Sequence, residues 1–314
     1  MSSTSDFSLR SSSVNHPLDR LSPYVGRFAP SPTGPLHFGS LLAALVSYLD
    51  ARAHQGQWLL RIEDLDPPRE DPTATDHILT TLDAFGLHWD GEVSYQSQRT
   101  DLYEDALAQL IVNGTAFACT CSRSQLAGKP HLGHCQSDTT APHAWRFLCP
   151  TQALTVHDRW QPSHTWTLPE DIGDFVIRRR DGLWSYQLAV VVDDADQGIT
   201  HVVRGIDLLD SGVRQQLLQH ALNLPSPSYA HLPVATELSG QKLSKQNHAL
   251  ALDSHHCRDV LCQALQWLKQ GPPADLSTYS VEQILSWAVQ HWQPNTFAQQ
   301  TSWPAPQGFC QPVS

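Results

Sequence analysis

The sequence predicts an α/β protein, an open parallel sheet flanked by helices, interrupted by a cysteine-rich insertion and followed by a short helical C-terminal region. Three observations carry this. A strand-like segment, Tyr24–Ala29, a helix-like one, Leu41–Ala53, and a second strand, Trp58–Glu63, follow one another within about 40 residues, and such a βαβ unit implies parallel strands with a right-handed crossover. The alternation stops where Cys119, Cys121 and Cys135 crowd one stretch. It then resumes with strand-like Thr200–Arg204, helical Ser211–Leu222 and strand-like Tyr229–Val234.

At 314 residues and 40% hydrophobic composition, the chain is long enough for about two domains with real cores. Residues 1–22 are Ser-rich without apolar periodicity and are expected to be a disordered leader. The first half of the α/β domain is placed at 23–114. It holds the βαβ unit, with Ser40 near the cap of its helix, and helices near Thr73–Phe85 and Thr100–Asn113. The insertion is placed at 115–172 and the second half of the domain at 173–247. There, Asp174–Arg180, the turn Asp181-Gly182 and Trp184–Val192 read as a hairpin, because Asp-Gly supplies the positive φ angles of a tight turn. Asp210 or Ser211 is the expected cap of the next helix, and Glu237–Asn247 is a polar loop. The remaining 67 residues, 248–314, hold helix-like Cys257–Lys269 and Val281–Trp292 and a Pro- and Gln-rich tail. No internal repeat is visible.

Composition excludes some function classes. With 20 Lys+Arg against 31 Asp+Glu the formal charge is −11, which argues against coating nucleic acid non-specifically. Any RNA contact must come from a local basic surface such as Arg178–Arg180 with Lys242 and Lys245. The longest apolar runs, Leu41–Val46 and Leu188–Val192, are far short of the about 20 residues that span a bilayer, and no signal peptide is recognisable, so a cytoplasmic location is expected. Seven cysteines, an odd number of which Cys119, Cys121 and Cys135 crowd one segment while Cys149, Cys257, Cys262 and Cys310 are scattered, fit a metal site in a reducing compartment better than a disulfide framework.

Two segments carry chemistry. Arg27-Phe-Ala-Pro-Ser-Pro-Thr-Gly-Pro-Leu-His-Phe-Gly-Ser40 lies between the first strand and its helix, where free N–H groups at a helix start face a phosphate. Gly34 and Gly39 let backbone approach a ligand, and His37 can donate to a phosphate oxygen. Glu237-Leu-Ser-Gly-Gln-Lys-Leu-Ser-Lys-Gln-Asn247 places Lys242 and Lys245 in one exposed loop able to neutralise polyphosphate. Taken singly, the first is an ordinary turn and the second a solvated surface.

Together, His-x-Gly after the first strand and Lys-x-Ser-Lys later in an α/β chain resemble the two signatures of class I aminoacyl-tRNA synthetases. Arg27–Gly34, Arg61-Ile-Glu-Asp-Leu-Asp66, Tyr186 ahead of Val190-Val-Val-Asp-Asp194, and Ile199-Thr-His-Val-Val-Arg-Gly205 narrow the resemblance to the glutamyl-tRNA synthetase catalytic domain over about residues 24–247. The resemblance implies a Rossmann-type class I synthetase catalytic domain that activates glutamate with ATP and Mg²⁺. It makes Arg27, Phe28, Ala29, Pro30, Ser31, Glu63, Tyr186 and Arg204 glutamate-binding residues, and His37, Gly39, Lys242, Ser244 and Lys245 ATP-binding residues. Of these, His37 and Lys245 are the catalytic pair. The residue chemistry agrees: Arg27 and Arg204 offer bidentate forks to the γ-carboxylate, and Glu63 can take the α-ammonium. Departures from the family pattern are Leu243 where Met is common, Gln246 for a final Ser, Ser40 for a His, and Ile206 for an acidic residue.

Cys119-Thr-Cys121 with His131 and Cys135 gives three thiolates and an imidazole within 17 residues, a set suited to tetrahedral Zn²⁺. Its spacing resembles the zinc site of short glutamyl-type enzymes, a family in which Tyr also serves as the third ligand. His131 is the choice there and His134 its competitor. Four protein ligands leave no open position, so the ion's role is structural.

A full-length glutamyl enzyme needs a helical anticodon-binding domain of well over a hundred residues after the Lys-x-Ser-Lys loop, and here 67 residues follow. The expectation is therefore a truncated paralogue that activates glutamate without tRNA and attaches it to queuosine at the wobble position of tRNA(Asp), acting as a monomer. A compact glutamyl enzyme charging a tRNA 3′ end, a small-molecule nucleotidyltransferase and a non-catalytic tRNA-binding paralogue are the alternatives. The last would be expected to lose His37 or Lys245, and both are present.

Overall fold

The computed structural model describes residues 23–133, 135, 140–237, 240–243 and 249–309. The expected leader and the expected site residues Ser244 and Lys245 lie outside them, as does His134.

The βαβ unit forms as the sequence predicts. Strand β1 (Val25–Phe28) pairs in parallel with β2 (Gln57–Ile62) across helix α1 (Phe38–Ala53), and β2 pairs in parallel with the two-residue β3 (Ser94–Tyr95). All four residues of β1 are buried, as befits a parallel strand covered on both faces. Helix α1 begins three residues earlier than expected. Its cap is His37, whose Nδ1 accepts from the Ser40 N–H, while Ser40 lies inside the helix. Helices α2 (Ala74–Ala84) and α3 (Thr100–Val112) follow.

The cysteine-rich stretch builds antiparallel structure. Strands β4 (Ala116–Cys119) and β5 (Ala144–Phe147) flank the one-turn helix α4 (Arg123–Leu126), and β6 (Gln152–Val156) and β7 (His164–Leu168) form a hairpin of their own. Strand β8 (Phe175–Arg178) joins the outer edge of β5.

The expected hairpin after β8 is overturned. The turn forms, with Gly182 at positive φ and one antiparallel bridge from Arg178 to Trp184, but Tyr186–Asp196 is helix α5. Ser185 caps it by accepting from the Leu188 N–H at 3.4 Å. Leu188–Asp194 is buried throughout, so the apolar run has no period that could separate a covered helix from a covered strand.

Strand β9 (His201–Gly205) and β10 (Ser228–Leu232) form a second parallel pair around helix α6 (Leu209–Leu222). Neither expected cap serves α6: a 3-10 turn at Ile206–Leu208 leads into it, so Asp210 and Ser211 fall in its first turn. The Thr200 N–H donates to the Val25 carbonyl at 2.9 Å, setting β9 beside β1. The crevice between them is the switch point of the open sheet, where such folds take their ligands.

The C-terminal region is part of the main core. Helices α7 (Cys257–Trp267) and α8 (Val281–Gln290) pack with α1 and α2, and β12 (Ser302–Pro304) pairs with β11 (Val234–Thr236). A second core lies among α3, α5, α6 and the insertion strands. The described cysteines are free thiols, and among the described residues no helix is long and apolar enough to cross a membrane.

Candidate active site

A cleft of about 430 Å³ opens at the carboxyl ends of β1 and β9. Phe28, Pro30, Ser31, His37, Gly39 and Lys242 are among its lining. The backbone of the first signature is pinned: the Glu63 N–H donates to the Pro30 carbonyl at 3.0 Å, and Thr33 N–H to the Ser31 carbonyl at 2.9 Å. Because His37 Nδ1 accepts from the start of α1, the neutral ring carries its proton on Nε2, the form that can donate to a phosphate oxygen. Gly39 explains the second half of that signature. A Cβ there would lie 3.0 Å from Cε1 and 3.2 Å from Nδ1 of His37, so any larger residue presses on the imidazole. Across the cleft, Lys242 Nζ donates to Asp207 at 2.6 Å. Leu243 is buried and its N–H donates to the Ala235 carbonyl at 2.8 Å, so the position where the family often has Met here fills the core.

Beneath the cleft lies a buried ionic cluster. Arg27, 4% exposed, donates from Nε to Asp194 at 3.2 Å, and the fully buried Arg61 reaches Asp194 at 2.8 Å, Gln197 at 2.6 Å and Glu63 at 3.4 Å. The neighbouring Asp193 accepts from Gln96, Arg99 and Tyr103 at 2.6–2.8 Å. Arg61 Nε also lies 3.8 Å from Asp193, so the two successive carboxylates of α5 share one buried guanidinium, with Arg27 added on Asp194 and Arg99 on Asp193. Burial opposes ionisation of Asp194, but Arg27 and Arg61 outweigh it and hold its carboxyl below the usual range. Glu63 is different: burial pushes it up to about 7 against the pull of Arg61 and Arg27.

On the other wall, Arg204 donates from Nε to His231 Nε2 at 2.9 Å and from Nη1 to Gln215 at 2.7 Å and the Tyr186 hydroxyl at 3.4 Å. Its Nη2 is buried without a hydrogen-bond partner among the described residues. An orphaned guanidinium donor is costly unless a ligand satisfies it, so this atom fits a carboxylate or other anion. Burial raises the Tyr186 phenol above its usual range, and the charges of Arg204, Glu63, Arg27 and Asp194 all act on it. Arg27, Glu63, Tyr186 and Arg204, far apart in sequence, therefore surround one centre.

Cys119, Cys121, His131 and Cys135 come together, with all four ligand atoms within 4.8 Å of one another. Tetrahedral zinc holds its ligands at about 2.0–2.3 Å, and this set fits it. His131 Nδ1 meets the buried Asp174 at 2.8 Å, which places its proton there and turns the Nε2 lone pair toward the thiols. Arg146 Nε donates to Cys119 Sγ at 3.2 Å. Gly173 permits this approach: at φ +62° it packs where a Cβ would come within 2.9 Å of the Pro130–His131 chain.

The expected basic surface at Arg178–Arg180 is only partly free of acids. Arg178 stacks over Trp184 at 4.6 Å, Arg179 pairs with Asp181 at 2.6 Å, and Arg180 donates to the Thr120 carbonyl. Four residues around the centre carry no assignment from the sequence alone. Asp193 and Asp194 had a signal, two acids inside an apolar run. His231 and Gln215 had none, since an isolated polar residue on a buried element reads as core.

The family model for tRNA synthetases class I (E and Q), catalytic domain, matches residues 24–133 and 134–266. A glutamyl-Q tRNA(Asp) synthetase of Chromobacterium violaceum is 51% identical over 280 residues, which covers 86% of this chain and 93% of that one. One of Neisseria meningitidis serogroup B is 50% identical over 283 residues, covering 86% and 95%. In fold, a glutamate-tRNA synthetase of Elizabethkingia anophelis matches with a TM-score of 0.76 at 23% identity, over 90% of this chain and 68% of that one. A family match over most of the chain, with half-identical relatives of almost the same length, leaves one conclusion: the chain belongs to the class I tRNA synthetases (E and Q), and within them to the family of its glutamyl-Q tRNA(Asp) synthetase relatives.

Proposed function

We propose that this chain activates glutamate with ATP, without tRNA, and transfers the glutamyl group to queuosine of tRNA(Asp). The observation that carries it is the buried Arg27–Glu63–Tyr186–Arg204 centre beneath the His37 cleft, with an orphaned Arg204 donor awaiting an anion. Two arginines receive the γ-carboxylate, Glu63 receives the α-ammonium, and Tyr186 covers the amino acid. The α-carboxylate oxygen then attacks the α-phosphorus of ATP, and the bond to the bridging oxygen breaks to release pyrophosphate. His37 Nε2–H and Lys245, with Ser244, Lys242 and Gly39 shaping the phosphate site, stabilise the crowded charge. Mg²⁺ supplies further neutralisation when it accompanies ATP. In the second half, a hydroxyl of the queuosine diol attacks the adenylate carbonyl, the acyl–phosphate bond breaks, AMP leaves, and the hydroxyl proton passes to solvent. The four-ligand cysteine–histidine cluster would hold zinc as a structural ion that fixes the insertion.

The test is glutamate-dependent ATP–pyrophosphate exchange without tRNA, followed by labelled glutamate transfer to tRNA(Asp) with and without queuosine. Exchange and queuosine-dependent labelling are expected. No exchange refutes the activation step, and equal labelling of a queuosine-lacking tRNA(Glu) would assign a 3′-end charging enzyme instead.

Glu63 adds a pH dependence. Its carboxyl must be ionised to receive an ammonium, and in the substrate-free site it titrates at about 7. Binding glutamate below that pH therefore releases a proton, and KM for glutamate rises as pH falls, by up to about tenfold per unit. Glu63→Gln raises KM at pH 8 and flattens this rise. A KM that stays constant from pH 8 to pH 6 in the unsubstituted enzyme would contradict the assignment.

A further inference from the structure

Arg204 is held by a buried pair that the reaction itself does not use. His231 and Arg204 are register partners on the parallel strands β10 and β9, so their side chains lie side by side on one face of the sheet. His231 is fully buried, and its Nδ1 meets Asp158 Oδ2 at 2.5 Å while its Nε2 receives the Arg204 Nε–H at 2.9 Å. A guanidinium can only donate, so His231 Nε2 must present a lone pair, and the imidazole proton must sit on Nδ1 facing the carboxylate.

Asp158 has no freedom to do otherwise. It comes from the loop between β6 and β7, and its Oδ1 accepts the backbone N–H groups of Trp160 at 2.9 Å, Gln161 at 2.8 Å and His231 itself at 3.3 Å. That leaves Oδ2 for the imidazole alone. The same loop is fastened to β10 by the Arg159 N–H on the Tyr229 carbonyl at 2.9 Å and by Gln161 on the His231 carbonyl at 2.9 Å. With Nε engaged, Arg204 cannot take a carboxylate side-on through Nε and Nη2. Its outer edge remains, where Nη2 is the orphaned donor.

We infer that Asp158 and His231 act as a tautomer lock, holding Arg204 by its Nε–H so that its Nη edge alone receives the substrate carboxylate, which makes both of them positioning residues for glutamate. This rests on the glutamate reading above.

Asp158→Asn is the decisive variant because it hardly changes volume. The three backbone N–H groups keep the amide oxygen, so the amide NH₂ faces His231 Nδ1 and forces the proton to Nε2, against Arg204. The expected result is a KM for glutamate raised about 10- to 100-fold in exchange assays, with KM for ATP changed less than about threefold. His231→Gln supplies an acceptor to Arg204 without any tautomer to set, so adding Asp158→Asn to it should change KM for glutamate less than about threefold. An equal effect of Asp158→Asn in both backgrounds, or an equal rise in both KM values, overturns the lock.

The imidazole ¹⁵N spectrum at pH 7.5 tests it without kinetics. Nδ1 protonated in the unsubstituted protein is expected, and Nε2 protonated refutes the inference even before a variant is made. Absence of glutamate-dependent exchange in the unsubstituted enzyme would instead count against the function, leaving the tautomer result to judge the lock on its own.

Discussion

Replacing Arg204 by lysine is expected to lower kcat/KM for glutamate in tRNA-independent exchange by about 30- to 5,000-fold, the effect of about 2–5 kcal/mol. The charge survives this change, but the fork does not. Arg204 is 5% exposed and its donors already serve His231, Gln215 and Tyr186, while Nη2 is buried without a partner among the described residues. A lysine ammonium cannot reach these acceptors in the plane of a guanidinium, so either His231 and Gln215 lose their buried donor or the substrate does. The loss should fall on glutamate and spare ATP, whose proposed place is the cleft lined by the first signature and Lys242. Steady-state exchange with each substrate varied in turn checks this. A lysine variant within threefold of the parent enzyme, or one equally weakened toward ATP, would remove Arg204 from glutamate recognition.

How much of this was legible in the sequence depends on whether the signal was local. The βαβ unit was, because Pro- and Gly-rich turns separate its strands from an apolar helix. So was α8, which starts on a capping box between Ser280 and Gln283. Helix α5 was not. Leu188–Asp194 is covered on all sides, and a continuous apolar run has no face to betray its period. Caps at His37 and at the turn into α6 were missed by two or three residues because a side chain far better known for phosphate chemistry, or no side chain at all, takes the capping role.

In the site, Arg27, Glu63, His37, Tyr186 and Arg204 stood in recognisable strings of residues, and the structure gathers them. Asp158 lay hidden because its meaning is wholly tertiary: a loop of the insertion reaches under β10 to set one proton on one histidine. The same loop places Arg159 on the fully buried Asp50 of α1 at 2.6 Å, which also receives Trp292 of the C-terminal region at 3.1 Å. Insertion, helix α1 and the C-terminal region thus meet at one carboxylate; burial pulls Asp50 toward neutrality, but Arg159, Tyr24 and Trp292 together hold its carboxyl below the usual range. No spacing rule in the sequence announces a contact of that kind.

Stripping metal from the protein should lower its thermal midpoint by about 10 °C and leave activation largely in place. The first half follows from linkage: a site filled at 1,000 times its Kd adds about 4 kcal/mol, and at 2–4 °C per kcal/mol for a chain of this size the shift is about 10 °C. The second follows from where the cluster sits. Cys119 ends β4, Cys121, His131 and Cys135 lie in the following loops, and their support comes from Asp174 and Arg146 of the insertion sheet. Arg27, Glu63, Tyr186 and Arg204 instead stand on or beside β1, β2, α5 and β9; β1 and β2 pack in the first core, and α5 shares the second with the insertion strands, but none of the four ligand residues belongs to either core. Glutamate-dependent exchange should therefore stay within about threefold after chelation, while protease cleavage between residues 120 and 143 should quicken and zinc should restore both protection and midpoint. Elemental analysis of the purified protein should find one zinc per chain. A midpoint unmoved by chelation, together with no bound zinc, would return the four residues to ordinary buried thiols and a buried imidazole. Loss of exchange in step with loss of metal would instead show that the insertion and the glutamate centre fold as one unit, with the Asp158 loop as the joint between them.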